Sequence, residues 1–239
     1  MDSLIFSLLF TVAVAVVFLA ASAMDRKVSV TFALLGALYL GLDDLVTGLP
    51  KVLPFLSLPA ANWNWSGKIL SLVLSAVVIG VLRISPAAVG LTLRQRHIRI
   101  GAVAVVLFVI WGACLGLLFK PGQADLETLL FQASMPGLAE ELVYRGICPA
   151  ILLGLVRQRT ASSEMPWVVI VATSVAFGIW HGLGYSGGNL SFDVMAALFP
   201  FVGSIAGGWL RFKTESLIVP VLGHGVANVA FHIAGGLAS

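Results

Sequence analysis

Apolar residues fall into eight runs along the chain, and connections that carry polar or charged residues separate these runs. Most runs approach about 20 residues, the length that an α-helix needs to cross the hydrocarbon core of a bilayer. Because backbone amides in lipid must be hydrogen-bonded within the protein, we expect each run to be helical. The predicted segments are 3–24, 28–45, 69–82, 100–119, 127–155, 167–182, 193–212 and 216–235.

The composition favours membrane helices over a water-soluble domain, since 59% of the 239 residues are hydrophobic and only 10% are charged. No internal repeat, low-complexity tract or soluble segment interrupts the pattern. We therefore predict an all-α, polytopic helical membrane protein with about eight transmembrane helices around an intramembrane polar cavity. Residues 1–239 form a single integral membrane domain, in which 1–120 lack motifs and 121–239 carry polar motifs.

Basic residues divide unevenly between the two sides that this topology defines. With the N-terminus outside, ten of the 14 Lys and Arg residues face one side and Arg145 lies within a span. The other side receives only Lys51, Lys68 and Lys120. Since basic residues collect on the cytoplasmic side, both termini are predicted outside. Span-flanking bases also explain the net charge of +3, so no nucleic-acid partner is expected, and the compact chain favours a prokaryotic plasma membrane.

The connection between the second and third segments combines two acids with two tryptophans, Asp43, Asp44, Trp63 and Trp65. Tryptophan is enriched at the interface between membrane and water, where its ring is buried and its N–H is solvated. Carboxylates at the same depth reach the headgroups and stay hydrated. We therefore interpret this stretch as a solvated outer connection.

Three ionisable residues, Glu140, Glu141 and Arg145, lie in the middle of an apolar segment. A charge at bilayer depth costs at least a few kcal/mol, so such residues are paired, face a cavity and mark function. Four residues separate Glu141 from Arg145, which places them on one helix face as an ion pair. Glu140 is rotated by about 100° from its neighbour and is predicted to be the working carboxylate.

Two later segments add imidazole and amide groups. His181 lies among aromatic residues on the sixth segment, and His224 and Asn228 lie on the eighth. The four-residue spacing of His224 and Asn228 puts both on one face, where a pair of donors suits a developing oxyanion. A buried carboxylate, an imidazole and two donors together indicate an amide hydrolase. We expect these groups to converge on one cavity.

The motifs resemble those of the CAAX protease and bacteriocin-processing family, also called the Abi family, in type and in order. They are Glu140-Glu141-x-x-x-Arg145, Phe177-x-x-x-His181 and His224-x-x-x-Asn228. The resemblance covers about 140–228 and implies an intramembrane endopeptidase with a helical fold, similar to CAAX prenyl endopeptidases. It also implies a membrane-associated peptide or protein substrate in the lipid bilayer, and it leaves open whether that substrate is prenylated.

The resemblance further implies a role for each motif residue. Glu140 would activate a water molecule together with His181. His224 and Asn228 would hold the tetrahedral oxyanion, and the Glu141–Arg145 pair would support the site. No cofactor is expected on this interpretation.

A metalloprotease remains an alternative, because carboxylate and imidazole side chains also bind zinc. The four candidate ligands are Glu140, Glu141, His181 and His224. The HExxH pattern of many zinc proteases is absent from the sequence. Zinc therefore stays an open alternative cofactor for the same residues.

Two further alternatives use other parts of the sequence. Residues 184–187 form a GxSG sequence that would suit a rhomboid-like serine protease with Ser186 as nucleophile, but here the HxxxN motif follows GxSG instead of preceding it. A non-enzymatic membrane scaffold, immunity protein or channel is the alternative from a different class. Such a protein would not require Glu140, His181, His224 and Asn228 together.

Overall fold

The structure, a computed structural model, describes residues 2–155 and 164–239 and is predominantly helical. In chain order the helices are α1 (Asp2–Met24), α2 (Val30–Val52), α3 (Trp65–Val81), α4 (Pro86–Val89), α5 (Ile98–Phe119), α6 (Leu126–Glu141), α7 (Cys148–Leu152), α8 (Trp167–Gly182), α9 (Val194–Thr214) and α10 (Ile218–Ala238). A 3-10 turn at Pro54–Leu56 follows α2, and a π-helical turn at Leu142–Ile147 joins α6 to α7.

Five helices within the described residues are long and apolar enough to cross a membrane, namely α1, α2, α5, α9 and α10. The apolar helices α3 and α8 are shorter, with 17 and 16 residues. The fifth predicted run, 127–155, is divided by the π-helical turn into α6 and α7. The chain is thus an all-α integral membrane protein, as predicted, but the count of eight spans is not confirmed.

A β-hairpin departs from the prediction of helices alone. Strand β1 (Leu183–Ser186) pairs antiparallel with β2 (Asn189–Phe192), and Ser186 lies opposite Asn189. The two residues between them, Gly187 and Gly188, have φ of 56° and 84°. Glycine adopts such angles without steric cost, and two-residue hairpin loops require them. Ser186 of the GxSG sequence therefore lies exposed at the end of a strand.

The outer connection before α3 is bonded to the start of α6. The Trp63 indole N–H donates to the Thr128 hydroxyl at 2.9 Å, and the Trp65 indole N–H donates to Glu127 at 3.1 Å. Asp125 caps α6 by accepting a bond from the Thr128 amide at 2.7 Å. Both tryptophans are therefore hydrogen-bonded within the protein, and they fix the N-terminus of α3 beside α6.

Helices pack in pairs around a core of buried hydrophobic side chains. The helix α1 packs on α2, α8 on α9, and α5 along α10, while α10 also crosses α6. Large side chains that are fully buried include Phe10, Phe18, Leu40, Ile147 and Ile151. These residues come from α1, α2, the π-helical turn and α7, so the N-terminal half packs directly against the segment that follows Glu141.

Candidate active site

The three polar clusters of the sequence converge on one cavity. Glu140, His181, His224 and Asn228 all line a space of about 650 Å³. Between the motifs of α6 and α10, His224 Nε2 lies 3.8 Å from Glu140 Oε2. The expected convergence is therefore present, although the motifs lie on three separate helices.

Two glycines let α6 and α10 approach closely enough to bring these groups together. A Cβ on Gly225 would lie 2.5 Å from the Ala133 carbonyl oxygen, and one on Gly137 would lie 2.8 Å from that of Val221. Small residues at such crossings allow the backbones of two helices to touch. Because Gly225 follows His224 and Gly137 precedes the two glutamates by one turn, the close crossing places the imidazole against the carboxylates.

Glu141 links His224 to Arg145. Its Oε1 lies 2.8 Å from His224 Nδ1, and its Oε2 lies 3.2 Å from Arg145 Nε, as the i,i+4 spacing predicted. The Arg145 guanidinium also covers the Phe177 ring at 4.2 Å. An ionised carboxylate only accepts, so Nδ1 of His224 carries the hydrogen in this contact. Glu141 therefore orients the His224 ring and holds its Nδ1 hydrogen.

Glu140 is bonded to Lys68, a residue that we predicted in an outer connection. Lys68 Nζ lies 2.7 Å from Glu140 Oε1, and each of the two side chains is only 9% exposed. The assignment of Lys68 to an outer connection was wrong. The reason is that α3 begins at Trp65, before the predicted boundary, so Lys68 occupies the first turn of the helix.

His181 is held by its own helix. Its Nδ1 lies 2.9 Å from the Phe177 carbonyl oxygen, and its ring contacts those of Phe177 and Trp180 at 4.4 and 4.8 Å between centroids. A carbonyl oxygen only accepts, so Nδ1 donates in this bond. The Nε2 atom of the neutral ring is then left as an acceptor on the cavity, ready to take a proton.

Asn228 is held from α6 by a residue that sequence reasoning missed. Its Nδ2 donates to Gln132 Oε1 at 2.9 Å, and Gln132 is buried. A primary amide has two N–H donors, so one stays available. Gln132, Pro136 and Glu140 recur every four residues along one face of α6 and line the same cavity. That spacing is the signal by which Gln132 could have been found.

The two acids interpreted as solvated lie inside α2 and are hydrogen-bonded. Asp44 accepts from the Ser7 hydroxyl at 2.6 Å and from the Trp180 indole N–H at 2.7 Å. Asp43 accepts from the Ser71 hydroxyl at 2.6 Å. The solvated interpretation was therefore wrong, because both acids lie within α2 and accept hydrogen bonds from side chains of α1, α3 and α8.

A second cavity of about 350 Å³ adjoins the first, and His181, His224 and Asn228 line both. Its walls are mainly aromatic and aliphatic side chains of α5, α8, α9 and α10, and Glu141 and Arg145 also line it. The apolar residues include Phe108, Trp111, Leu115, Phe199 and Phe231. The motif residues therefore separate a polar chamber, which contains Glu140 and Lys68, from an apolar chamber.

The alternative zinc set is not gathered as a metal site. Within 2–155 and 164–239, no group of three or more His, Cys, Asp or Glu side chains is arranged to hold a metal ion. In the predicted set, His224 already places one ring nitrogen against Glu141. Zinc binding by Glu140, Glu141, His181 and His224 stays a prediction that chelation would test.

Comparison with known families gives one match, and it covers the part of the chain that carries the motifs. Residues 121–230 match the family described as type II CAAX prenyl endopeptidase Rce1-like. This region is similar to that family. The resemblance drawn from the three motifs is thereby confirmed, and it implies a membrane peptidase with a membrane-associated peptide as substrate. No curated protein and no solved structure gave a significant match.

Proposed function

We propose that the protein is an intramembrane endopeptidase that hydrolyses a peptide bond with a water molecule activated by Glu140 and His181. The observation that carries the proposal is the shared cavity, where these two acceptors lie beside the donors His224 and Asn228. A base, an acceptor imidazole and a donor pair in one recess are the parts that amide hydrolysis needs. The family match of residues 121–230 supports the same reaction.

In this proposal the water molecule is activated by Glu140 and His181, the two acceptors that line the polar chamber. Glu140 Oε1 is occupied by Lys68, so its Oε2 is the oxygen available to a water molecule. His181 offers Nε2, because Nδ1 is bonded to the Phe177 carbonyl. As the water oxygen attacks the carbonyl carbon, its proton passes to this pair, which later delivers it to the departing amine nitrogen.

The donors of α10 stabilise the negative charge that forms on the carbonyl oxygen of the substrate. Asn228 has one amide N–H left after bonding Gln132. His224 has its Nδ1 hydrogen on Glu141, so donation from Nε2 requires the doubly protonated ring. Glu141 and Glu140 stand on either side of that ring and complement its positive charge. Removing one such oxyanion donor lowers kcat by about 10²–10³-fold.

We propose that the substrate carries an apolar group close to the scissile bond. The apolar chamber adjoins His181, His224 and Asn228, so a peptide whose carbonyl meets these residues can place a neighbouring group there. A prenyl chain is the group that the family description suggests. A prenylated peptide should therefore show a higher kcat/KM than its unmodified form, and equal values would contradict this part of the proposal.

The reaction is tested with purified protein in lipid, using membrane-associated peptides with and without prenylation. We expect cleavage that survives exhaustive chelation, and a Ser186→Ala variant should cleave at the wild-type rate. Activity lost on chelation and restored by zinc would assign the metal mechanism to the same residues. Activity abolished by Ser186→Ala would assign a serine protease instead. Absence of cleavage across membrane-associated peptides would overturn the enzymatic proposal.

A further inference from the structure

The N-terminal half contributes a buried cation to the candidate site. Lys68 comes from α3, outside the region 121–230 that matches the family. Resting on the proposed function, we propose that Lys68 is a positioning residue for the reaction. It holds the Glu140 carboxylate in its ionised form and turns one carboxylate oxygen toward the cavity.

Burial makes a passive role for Lys68 costly. Its side chain is 9% exposed, and taking an ammonium group out of water costs several kcal/mol unless a partner compensates. Replacing a buried ion pair by apolar residues is often neutral or stabilising, so the pair adds little to stability alone. The adjacent acids are compensated separately, since Arg145 lies against Glu141 while Lys68 lies against Glu140.

The geometry of the pair fixes the orientation of the carboxylate. The bond at 2.7 Å takes up Oε1, and Oε2 is left 3.8 Å from His224 Nε2. Without Lys68, the carboxylate is free to rotate toward His224 or to withdraw from the cavity. A base misplaced by about 1 Å costs on the order of 10²-fold in rate, so holding this rotamer has a direct catalytic consequence.

Lys68 also contacts the side chain of Trp180 on α8, which is itself bonded to α2. Its Nζ lies 5.0 Å from the centre of the Trp180 ring, a cation–π contact. The Trp180 indole N–H is bonded to Asp44 on α2 at 2.7 Å. Because Trp180 immediately precedes His181, the same support sets the positions of both groups that activate water.

The first turn of α3 is fixed against α2, so the backbone of Lys68 has little freedom. Asn64 caps the helix by accepting from the Gly67 amide at 3.0 Å, and its side chain donates to the Thr47 carbonyl at 2.9 Å. A Cβ on Gly67 would collide with the same Thr47 carbonyl oxygen. Only glycine permits this approach, and the next residue is thereby directed toward Glu140.

Activity of three purified variants tests the proposal. Lys68→Met keeps the length of the side chain without its charge, and kcat should fall about 100-fold with little change in KM. Lys68→Arg restores a cation and should recover part of that loss. Lys27→Met removes the lysine of an exposed ion pair with Glu164 and should match wild type. A Lys68→Met protein that folds and keeps wild-type kcat would overturn the proposal.

Thermal unfolding of a double-mutant cycle tests the pair without any use of peptidase activity. Lys68→Met and Glu140→Gln should each lower Tm, because each leaves a buried charge without its partner. The double variant should be more stable than the sum of the two losses predicts. Additive losses would show that the side chains do not interact, and would overturn the proposal. Non-additive losses in a protein that cleaves no peptide would confirm the pair and contradict the proposed function instead.

Discussion

The two halves of the chain reach the same cavity with different kinds of residue. The motif-bearing half supplies the groups assigned to chemistry, which are Glu140, His181, His224 and Asn228. The half without motifs supplies Lys68, which contacts Glu140, and Asp44, which accepts a hydrogen bond from Trp180 beside His181. Motifs in a sequence therefore identify the reacting groups, while the residues that hold them can lie in segments that carry no recognisable pattern.

The largest effects should follow from changes in the motif-bearing half. Asn228→Ala removes an oxyanion donor and should lower kcat by about 10²–10³-fold, with KM nearly unchanged. Steady-state kinetics on a membrane-associated peptide would measure the change. Asn189→Ala, in the exposed hairpin, is the matched control and should behave as wild type. A small effect of Asn228→Ala would show that the donor lies outside the reaction.

A smaller loss is expected from the contact that joins the two motif helices. Gly225→Ala puts a Cβ 2.5 Å from the Ala133 carbonyl oxygen, so α6 and α10 must separate. The overpacking should cost about 1–3 kcal/mol in stability, and kcat should fall as Glu141 and His224 move apart. Gly80→Ala has no neighbour within 4 Å and should be neutral or slightly stabilising. Thermal unfolding and steady-state kinetics of both variants would measure the expected losses in stability and kcat.

The smallest effect should come from loss of the bond that joins Trp180 to Asp44 in the other half. Trp180→Phe keeps an aromatic face beside Lys68 but removes the N–H that bonds Asp44. One net hydrogen bond is worth about 1 kcal/mol, so kcat should fall by about fivefold. Trp167→Phe changes an exposed tryptophan at the start of the same helix and should have no effect. A loss as large as that of Asn228→Ala would remove the distinction between reacting and supporting residues.

Local features of this site could be predicted from the sequence, and contacts between distant segments could not. The Glu141–Arg145 pair follows from a spacing of four residues on one helix. The bond from Lys68 to Glu140 joins residues 72 positions apart, and the bond from Asn228 to Gln132 joins residues 96 apart. These contacts depend on how helices cross, which hydrophobic periodicity does not specify.

The fold shows the same limit at its helix ends. Apolar runs predicted the five helices that are long enough to cross a membrane, but Lys68 was misplaced because α3 begins earlier than its run suggested. The break after Glu141 was also missed, since a π-helical turn changes the backbone bonding without any change in apolar character. Such turns are frequent at functional sites, and here the break directly follows the two glutamates of the motif.

The most direct measurement is the kcat of purified Glu140→Gln relative to wild type on a membrane-associated peptide, in protein whose folded fraction has been verified. Glutamine keeps the shape of the side chain but cannot take a proton from water. Loss of a general base lowers rates by about 10²–10⁴-fold, and we expect a fall within that range. A folded Glu140→Gln protein that cleaves at the wild-type rate would contradict the assignment of Glu140 as the base.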